Sequence, residues 1–400
     1  MDAGFFYSPS QIARYIPSRI TSLKPPAKKL QNPWKVIRSL DAHQWSMFLV
    51  GFSGWAWDAF DFFTVSMCLT EIAEDFDEEP SAVSWGITVT LMLRSVGALI
   101  SGSIGDRYGR KWIFIANLVL FIVFELCSAF CNSLGPFLAV RALYGICMGG
   151  LLAPAATTAL EDLPYDARGI ASGLFQQGYA VGYLLAAIFY RALVPTTSHG
   201  WRSVFYFGAC GPVPIIIWRF FLPETNFYQV LRAERDARHA AEDDPHSTIA
   251  KKTGSLRAFL KEANKAFRQN WVLFIYMIVL MSGMNSVSHG SQDLYPTFLK
   301  DQVGFSATQT TVTTVVGQLG AIVGSTSIGF LSTFFGRRPC MMIACIFGGA
   351  IVPAYIFPRT DSLIASVFFE QVFVGGVWGP MCVEKPYIPL HYDKPLLTSM

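Results

Sequence analysis

Apolar residues in this chain arrive in blocks of about 20, divided by polar connections, which is the length a helix needs to cross ~30 Å of hydrocarbon. Ten blocks can be read, at 45–69, 82–103, 112–131, 134–158, 169–191, 202–222, 271–295, 308–334, 340–357 and 362–380. Inside a bilayer every backbone amide must find its partner within its own segment, so each block reads as a helix. A buried core helix of a water-soluble protein accounts for one or two such runs, not ten. The pattern therefore predicts an all-α integral membrane protein.

Composition agrees: 52% of the 400 residues are hydrophobic and 15% charged, where a soluble domain carries about 25% charged residues. Seven of the eight cysteines (Cys68, Cys127, Cys131, Cys147, Cys210, Cys340, Cys345) fall in or beside apolar blocks, and Cys382 lies beyond. No CxxC pair suggests a metal or redox centre, so they read as small packing residues. No cofactor, phosphate-cradling loop, nucleic-acid patch or catalytic constellation is expected. The first 44 residues are polar and basic, with no short apolar run before a cleavage site, so no removable signal peptide is expected. Basic residues crowd the N-terminus and the connections after the second span (Arg107, Arg110, Lys111) and the eighth (Arg337, Arg338). The connection after the first span (Glu71, Glu74, Asp75, Asp77, Glu78, Glu79) has none. By the positive-inside rule, the N-terminus and the even-to-odd connections face the cytoplasm.

The polar stretch 223–270, with nine Lys/Arg and seven Asp/Glu, divides the chain. The expected organisation is a cytoplasmic tail (1–44), a six-helix bundle (45–222), a partly helical cytoplasmic linker (223–270), an incomplete four-helix bundle (271–380) and a divergent tail (381–400). An internal repeat supports the division. Gly102-Ser-Ile-Gly-Asp-Arg-Tyr-Gly-Arg-Lys111 leaves the second span, and Gly329-Phe-Leu-Ser-Thr-Phe-Phe-Gly-Arg-Arg338 leaves the eighth, 227 residues later. The same offset lays Asp58 against Asn285 and Asp61 against Ser288. Repeated halves are how secondary transporters build a central site and rock around it.

Gly102 to Lys111 resembles the loop motif of the major facilitator superfamily. Arg141-x-x-x-Gly145-x-x-x-Gly149, Glu161-Asp-Leu-Pro-x-x-x-Arg168-Gly169 and Pro223-Glu224-Thr225 resemble its other markers, in the right order. The resemblance implies the major facilitator fold and a conformational role for Gly102, Asp106, Arg107, Gly109 and Arg110. Glycines permit the tight turn, and Asp106 is placed to face a helix N-terminus.

The seventh span carries the run Asn285-Ser-Val-Ser-His-Gly-Ser-Gln-Asp-Leu-Tyr-Pro-Thr297. At ~100° per residue Asn285, Ser288, His289, Gln292 and Asp293 share an arc of roughly 140°. Such a stripe is expected to line a water-filled path or the gap between the halves. His289 and Asp293 are four apart and can meet, giving a pair able to exchange a proton near neutral pH. This run is similar to the motif N-x-x-[S/T]-H-x-[S/T]-Q-D-x-x-x-T of the Jen-type fungal lactate–pyruvate proton symporters. The resemblance extends from Trp45 to about Pro380 and includes Trp57-Asp-Ala-Phe-Asp61 and Leu174-Phe-Gln-Gln-Gly-Tyr179. It implies proton-coupled uptake of small monocarboxylates across the plasma membrane. The carrier is expected to act as a monomer in the bilayer.

A carboxylate needs a donor cluster at the membrane centre. Arg94 sits midway along the second span, about 18 Å from its outer end at 1.5 Å per residue. Its guanidinium can hold a carboxylate through two parallel hydrogen bonds, and Asp58 or Asp61 lies near enough to pair with it in the empty state. A permanent structural ion pair is the alternative. Glu125 and Arg141 form a second pair, for structure or for proton coupling. The resemblance makes Phe175 and Gln176 cavity residues, against a reading as helix packing beside Gly173, Gly178 and Gly182. Glu370 is a lone acid with no assigned partner.

Carriers of this type have twelve spans, and ten are read here. After Pro380 the chain turns proline-rich and resembles nothing in the family, as a truncated or frame-shifted gene would. Three functions stay open: a monocarboxylate symporter, a related carrier of dicarboxylates, aromatic acids or sugars, and an inactive product.

Overall fold

The computed structural model describes residues 33–226, 228–230, 233, 256–358, 360 and 362–381. Most of the expected N-terminal tail, the middle of the linker (234–255) and the 381–400 tail beyond Met381 lie outside the described residues, as does Cys382.

Ten long helices occupy the ten apolar blocks: α1 (Ala42–Met67), α2 (Pro80–Tyr108), α3 (Arg110–Ala129), α4 (Leu134–Leu160), α5 (Tyr165–Leu193), α6 (Arg202–Phe221), α7 (Leu256–Gln292), α8 (Ala307–Phe335), α9 (Arg337–Ile356) and α10 (Ser362–Met381). No strand occurs among the described residues. Capping boxes start α1 (Asp41 with Gln44) and α8 (Ser306 with Gln309), satisfying amide donors left over by the first helical turn. Pro80 opens α2 at the one turn where its missing donor costs nothing. Pro212 interrupts α6 after Gly211, leaving segments Arg202–Cys210 and Pro212–Phe221. Helix α7 starts inside the expected linker and runs for 37 residues.

Seven of these helices are long and apolar enough throughout to cross a bilayer on length and composition alone. The other three, α1, α5 and α7, carry polar side chains at their centres. Polar and aromatic groups of all three reach the midline, where Tyr183 of α5 donates to the Gln292 carbonyl of α7 and Phe62 of α1 packs on His289, while α5 also bonds α8 through Gln177. Lipid demands an apolar surface only from the faces it touches, so a helix lining the midline is free to lose apolarity there.

The first six helices share one core, in which Phe60, Phe63, Phe114, Phe121, Phe137 and Phe205 are completely buried. The core of the second half is a small cluster around Tyr295, Leu299, Tyr355, Leu363 and Val367. Large apolar side chains on α7 and α9, such as Ile278, Val279, Ile346 and Phe347, are exposed to the surroundings.

The repeat seen in sequence is also a repeat in structure. Gly109 and Gly336, 227 residues apart, both take a positive φ, +97° and +88°, in the turns after α2 and α8. Helices α2 and α4 touch backbone to backbone: a Cβ on Gly149 would stand 1.8 Å from the Arg94 carbonyl oxygen. The matching pair α8 and α10 does the same, with a Cβ on Gly324 standing 1.8 Å from the Val372 carbonyl oxygen. Neither clash can be relieved by a side-chain rotation. Gly149→Val is therefore expected to cost about 3 kcal/mol or more, read as loss of folded protein from detergent-extracted membranes, where a surface Gly135→Val change is tolerated.

Candidate functional site

Two buried groups of ionisable residues face each other across the midline. In the first half Asp58 and Asp61, one turn apart on α1, are buried with no hydrogen bond to their carboxylate oxygens. Arg94 reaches from α2 to within 3.9 Å of the Asp58 carboxylate, and its guanidinium lies 5.4 Å from the Trp55 ring centre. Of the two acids offered by the sequence, Arg94 meets Asp58. Asp61 is turned toward Gly208 of α6, where a Cβ would stand 2.8 Å from its Oδ1. The Arg94–Asp58 separation exceeds hydrogen-bond length, so the guanidinium keeps its donors for another acceptor.

Glu125 of α3 and Arg141 of α4 pair at 2.9 Å, both almost fully buried, and Arg141 also stacks 4.0 Å from the Tyr144 ring centre. Three carboxyls (Asp58, Asp61, Glu125) thus share a compartment with two guanidiniums (Arg94, Arg141). Fully ionised, the group carries one uncompensated negative charge. An unpaired buried charge costs several kcal/mol, and one bound proton cancels it.

The stripe on α7 is split by the fold. Ser288, Gln292 and Asp293 are buried, and His289 is half-buried with its ring edge-on to Phe62 of the first half. The His289 Nδ1 lies 3.0 and 3.1 Å from the two Asp293 oxygens, so the spacing of four does bring the pair together. Asn285 is exposed, and its amide donates to the Met281 carbonyl of its own helix at 2.9 Å, away from this group. The Arg94 charge acts on Asp293, and both act on Tyr179, whose hydroxyl is buried without a hydrogen-bond partner. Arg94 and the His289–Asp293 pair therefore bound one central region.

Aromatic residues of α1 and α5 wall that region. Phe175 stacks on Trp55 at 6.2 Å, Tyr179 on Trp55 at 5.5 Å, and Phe63 on Tyr183 at 3.8 Å. Gln176 is half-buried. Its neighbour Gln177 crosses the midline, donating to Ser325 and Thr326 of α8.

At one end of the molecule the halves are tied together around Lys300, which the sequence did not single out. Lys300, in the turn Leu299–Val303, donates to the Met67 carbonyl at 3.2 Å, Thr70 at 3.1 Å and Tyr190 at 2.9 Å, and pairs with Glu71 at 3.0 Å. Tyr190 in turn donates to Glu71. Ser66 donates to the Asp293 carbonyl, and Tyr183 to the Gln292 carbonyl at 2.9 Å. The signal was present: a lone lysine follows the α7 stripe on the side assigned to the acidic loop, against the positive-inside bias. Outside this tie lies a cavity of about 820 Å³, lined by Glu71, Glu74, Asp77, Glu78, Glu79 and Asp301 among others. Lys300→Met is expected to loosen this end. Cys68, completely buried beside the tie, should react with an impermeant maleimide about tenfold faster, the size of one lost buried ion contact of about 1.4 kcal/mol. An unchanged rate would show that other contacts hold the end shut.

At the opposite end the loop motifs meet. Arg110 pairs with Glu161, Thr225 donates to Glu161 at 3.1 Å, and the Lys111 amide donates to Glu224 at 3.1 Å. Lys111 Nζ also caps the end of α6 through the carbonyls of Phe220 and Leu222, both at 2.7 Å. Gly102 leaves open space beside it. The side chains of Asp106, Arg107 and Arg168 lie outside the described set.

Residues 42–383 match the family profile "Sugar (and other) transporter". The chain is 36% identical over 356 residues to a carboxylic acid transporter protein homolog of Saccharomyces cerevisiae, covering 87% of this chain and 57% of that protein. It is 24% identical to the niacin transporter NiaP of Acinetobacter baylyi, covering 86% of this chain and 80% of the relative. Among solved structures, the proton:xylose symporter XylE superposes with a TM-score of 0.64 at 17% identity, covering 85% of this chain and 81% of the other. The chain thus spans little more than half the length of the yeast relative.

Proposed function

Because the chain belongs to the sugar (and other) transporter family of the major facilitator superfamily, whose members are multi-pass membrane transporters rather than enzymes, we propose that it moves small monocarboxylates together with protons by alternating access. Lactate, pyruvate and acetate are the substrate class, the plasma membrane is the location, and the acidic end faces outward with the N-terminus inside. The observation that carries this reading is Arg94 with open donors beside Asp58, opposite the His289–Asp293 pair.

The cycle follows from charge. An incoming carboxylate takes the Arg94 donors in the bidentate geometry that a guanidinium favours. Asp58 then loses its counter-charge in a buried site, and the least costly answer is to accept a proton. Anion and proton leave together when the site opens to the other side, restoring the Arg94–Asp58 pair. His289 and Asp293 supply a route for that proton between water and the midline. The name of the yeast relative supports a carboxylic acid as cargo.

The test is uptake of labelled lactate or pyruvate with proton influx in cells that make this chain alone. An absent signal, with activity gained by a chain of full family length, would identify the 400-residue product as inactive by itself. His289→Ala and Asp293→Ala are each expected to cut proton-coupled uptake tenfold or more, in line with a lost charge-assisted hydrogen bond of about 1.5–3 kcal/mol. Protein abundance should fall less, and equal losses would reassign the pair to folding.

A further inference from the structure

Glu370 is the one ionisable side chain in the sequence of α10, and the cycle above does not use it. It is buried, and no described Lys, Arg or His pairs with it. Helix α8, which packs along α10, has no charged residue at all. The titratable groups whose fields meet that of Glu370 are Tyr295, just after α7, and Tyr355 of α9. Their rings stack at 4.4 Å, Tyr355 donates to the Ser291 carbonyl, and the Tyr295 hydroxyl is buried without a partner.

What Glu370 does have is a line of amides leading to the midline. The Gln371 amide donates to Glu370 Oε2 at 2.7 Å and to Ser291 Oγ at 3.3 Å. The Gln371 carbonyl oxygen accepts from the Gln292 amide at 2.7 Å. Gln292 belongs to the α7 stripe and is joined to the first half through Tyr183. All three side chains of the line are buried.

We propose that Glu370 is a second proton-binding carboxyl, and that Gln371 transmits its state to Gln292, which becomes free to bind a substrate anion when Glu370 is protonated. The direction follows from the donor inventory. A carboxylate only accepts, so ionised Glu370 holds the Gln371 NH2 toward itself and leaves the Gln371 oxygen for Gln292. In that state the Gln292 NH2 is engaged. When a proton from water binds Glu370, its charge goes from minus one to zero and it gains an O–H donor. Gln371 then turns its oxygen to Glu370 and its NH2 to Gln292. Gln292 answers with its own oxygen, and its NH2 is released toward the central region bounded by Arg94. Proton binding thereby favours anion binding, which is the coupling a symporter needs, and by reciprocity the anion favours the proton.

This inference rests on the transport reading for its consequence but not for its chemistry, and two measurements separate the two. In the first, wild-type membranes are treated with dicyclohexylcarbodiimide, which reacts with protonated carboxyls in apolar surroundings, and adducts are mapped by mass spectrometry. Glu370 is expected to be modified several-fold faster at about pH 6 than at about pH 8. Absence of an adduct at Glu370 throughout that range overturns the proposal whether or not the chain transports. In the second, labelled lactate is the probe for uptake and counterflow in cells producing the 400-residue chain. Glu370→Gln, neutral at every pH, is expected to remove most of the pH dependence of KM and to lower proton-driven accumulation about tenfold, while counterflow survives. Gln371→Leu should leave carbodiimide labelling intact but abolish the pH dependence of KM. A Glu370→Gln carrier that accumulates lactate with the wild-type pH profile overturns the proposal. A wild-type chain without lactate counterflow, but labelled at Glu370, retains the proton site and sinks the lactate reading instead.

Discussion

Arg94→Lys is expected to raise the KM for a monocarboxylate about tenfold or more, an effect of roughly 1.4 kcal/mol, although the positive charge is kept. Lysine offers a point charge on a flexible stem, whereas the guanidinium presents a planar fork that matches both oxygens of a carboxylate. Arg94 also rests against Trp55, and a lysine ammonium cannot stack on that ring in the same way. Arg94→Met should do more, because Asp58 would be left fully buried without its counter-charge. Loss of folded protein by about 3–5 kcal/mol is the expected scale for such a change, and adding Asp58→Asn should restore abundance without restoring uptake. Uptake kinetics and the amount of folded carrier, measured side by side, check both parts. Unchanged KM in Arg94→Lys would exclude two-point capture of an anion and favour a neutral cargo.

The second large effect is expected at Glu125 and Arg141. Their 2.9 Å pair is sealed from solvent on both sides. Arg141→Met alone strands Glu125 and should destabilise by about 3–5 kcal/mol, while Glu125→Gln with Arg141→Met should be close to neutral, since neither charge is then buried. Thermal loss of folded carrier in detergent measures this. The double variant also decides between the two roles open for the pair. If it folds and still accumulates substrate against a proton gradient, the pair is structural. If it folds but only exchanges substrate, Glu125 takes part in coupling.

Much of the architecture was legible because lipid imposes simple rules. The ten helices follow from block length, and the Gly109 and Gly336 turns repeat at the offset that the loop motifs share. The His289–Asp293 contact follows from a spacing of four on one helix. Partners contributed by different helices were harder to find, since periodicity gives a residue's face but not the neighbour on that face. Asp58 and Asp61 looked equivalent until α6 claimed Asp61. Gln177, beside the Gln176 that the resemblance picked out, reaches Ser325 and Thr326 of α8, a contact no periodicity announces. Asn285 lies on the right arc, yet it sits at the stretch of α7 where its neighbours Ser286 and Val287 are exposed too, so its amide turns to its own backbone. Gln371 and Lys300 find partners 79 and 229 residues away, distances at which no local pattern carries information.

On the transport reading proposed above, the acid-lined cavity outside the Lys300 tie would set the conditions under which cargo arrives. Carboxylates around its rim create a negative potential, and each kT of that potential raises the local hydronium density about threefold while thinning free anions by the same factor. The neutral acid keeps its bulk concentration there while its anion is thinned, so a larger share of a weak acid beside the rim is undissociated and carries its own hydrogen. Raising ionic strength screens the rim over a Debye length of about 10 Å at 0.1 M, so capture from dilute, weakly buffered medium should be the step most sensitive to salt.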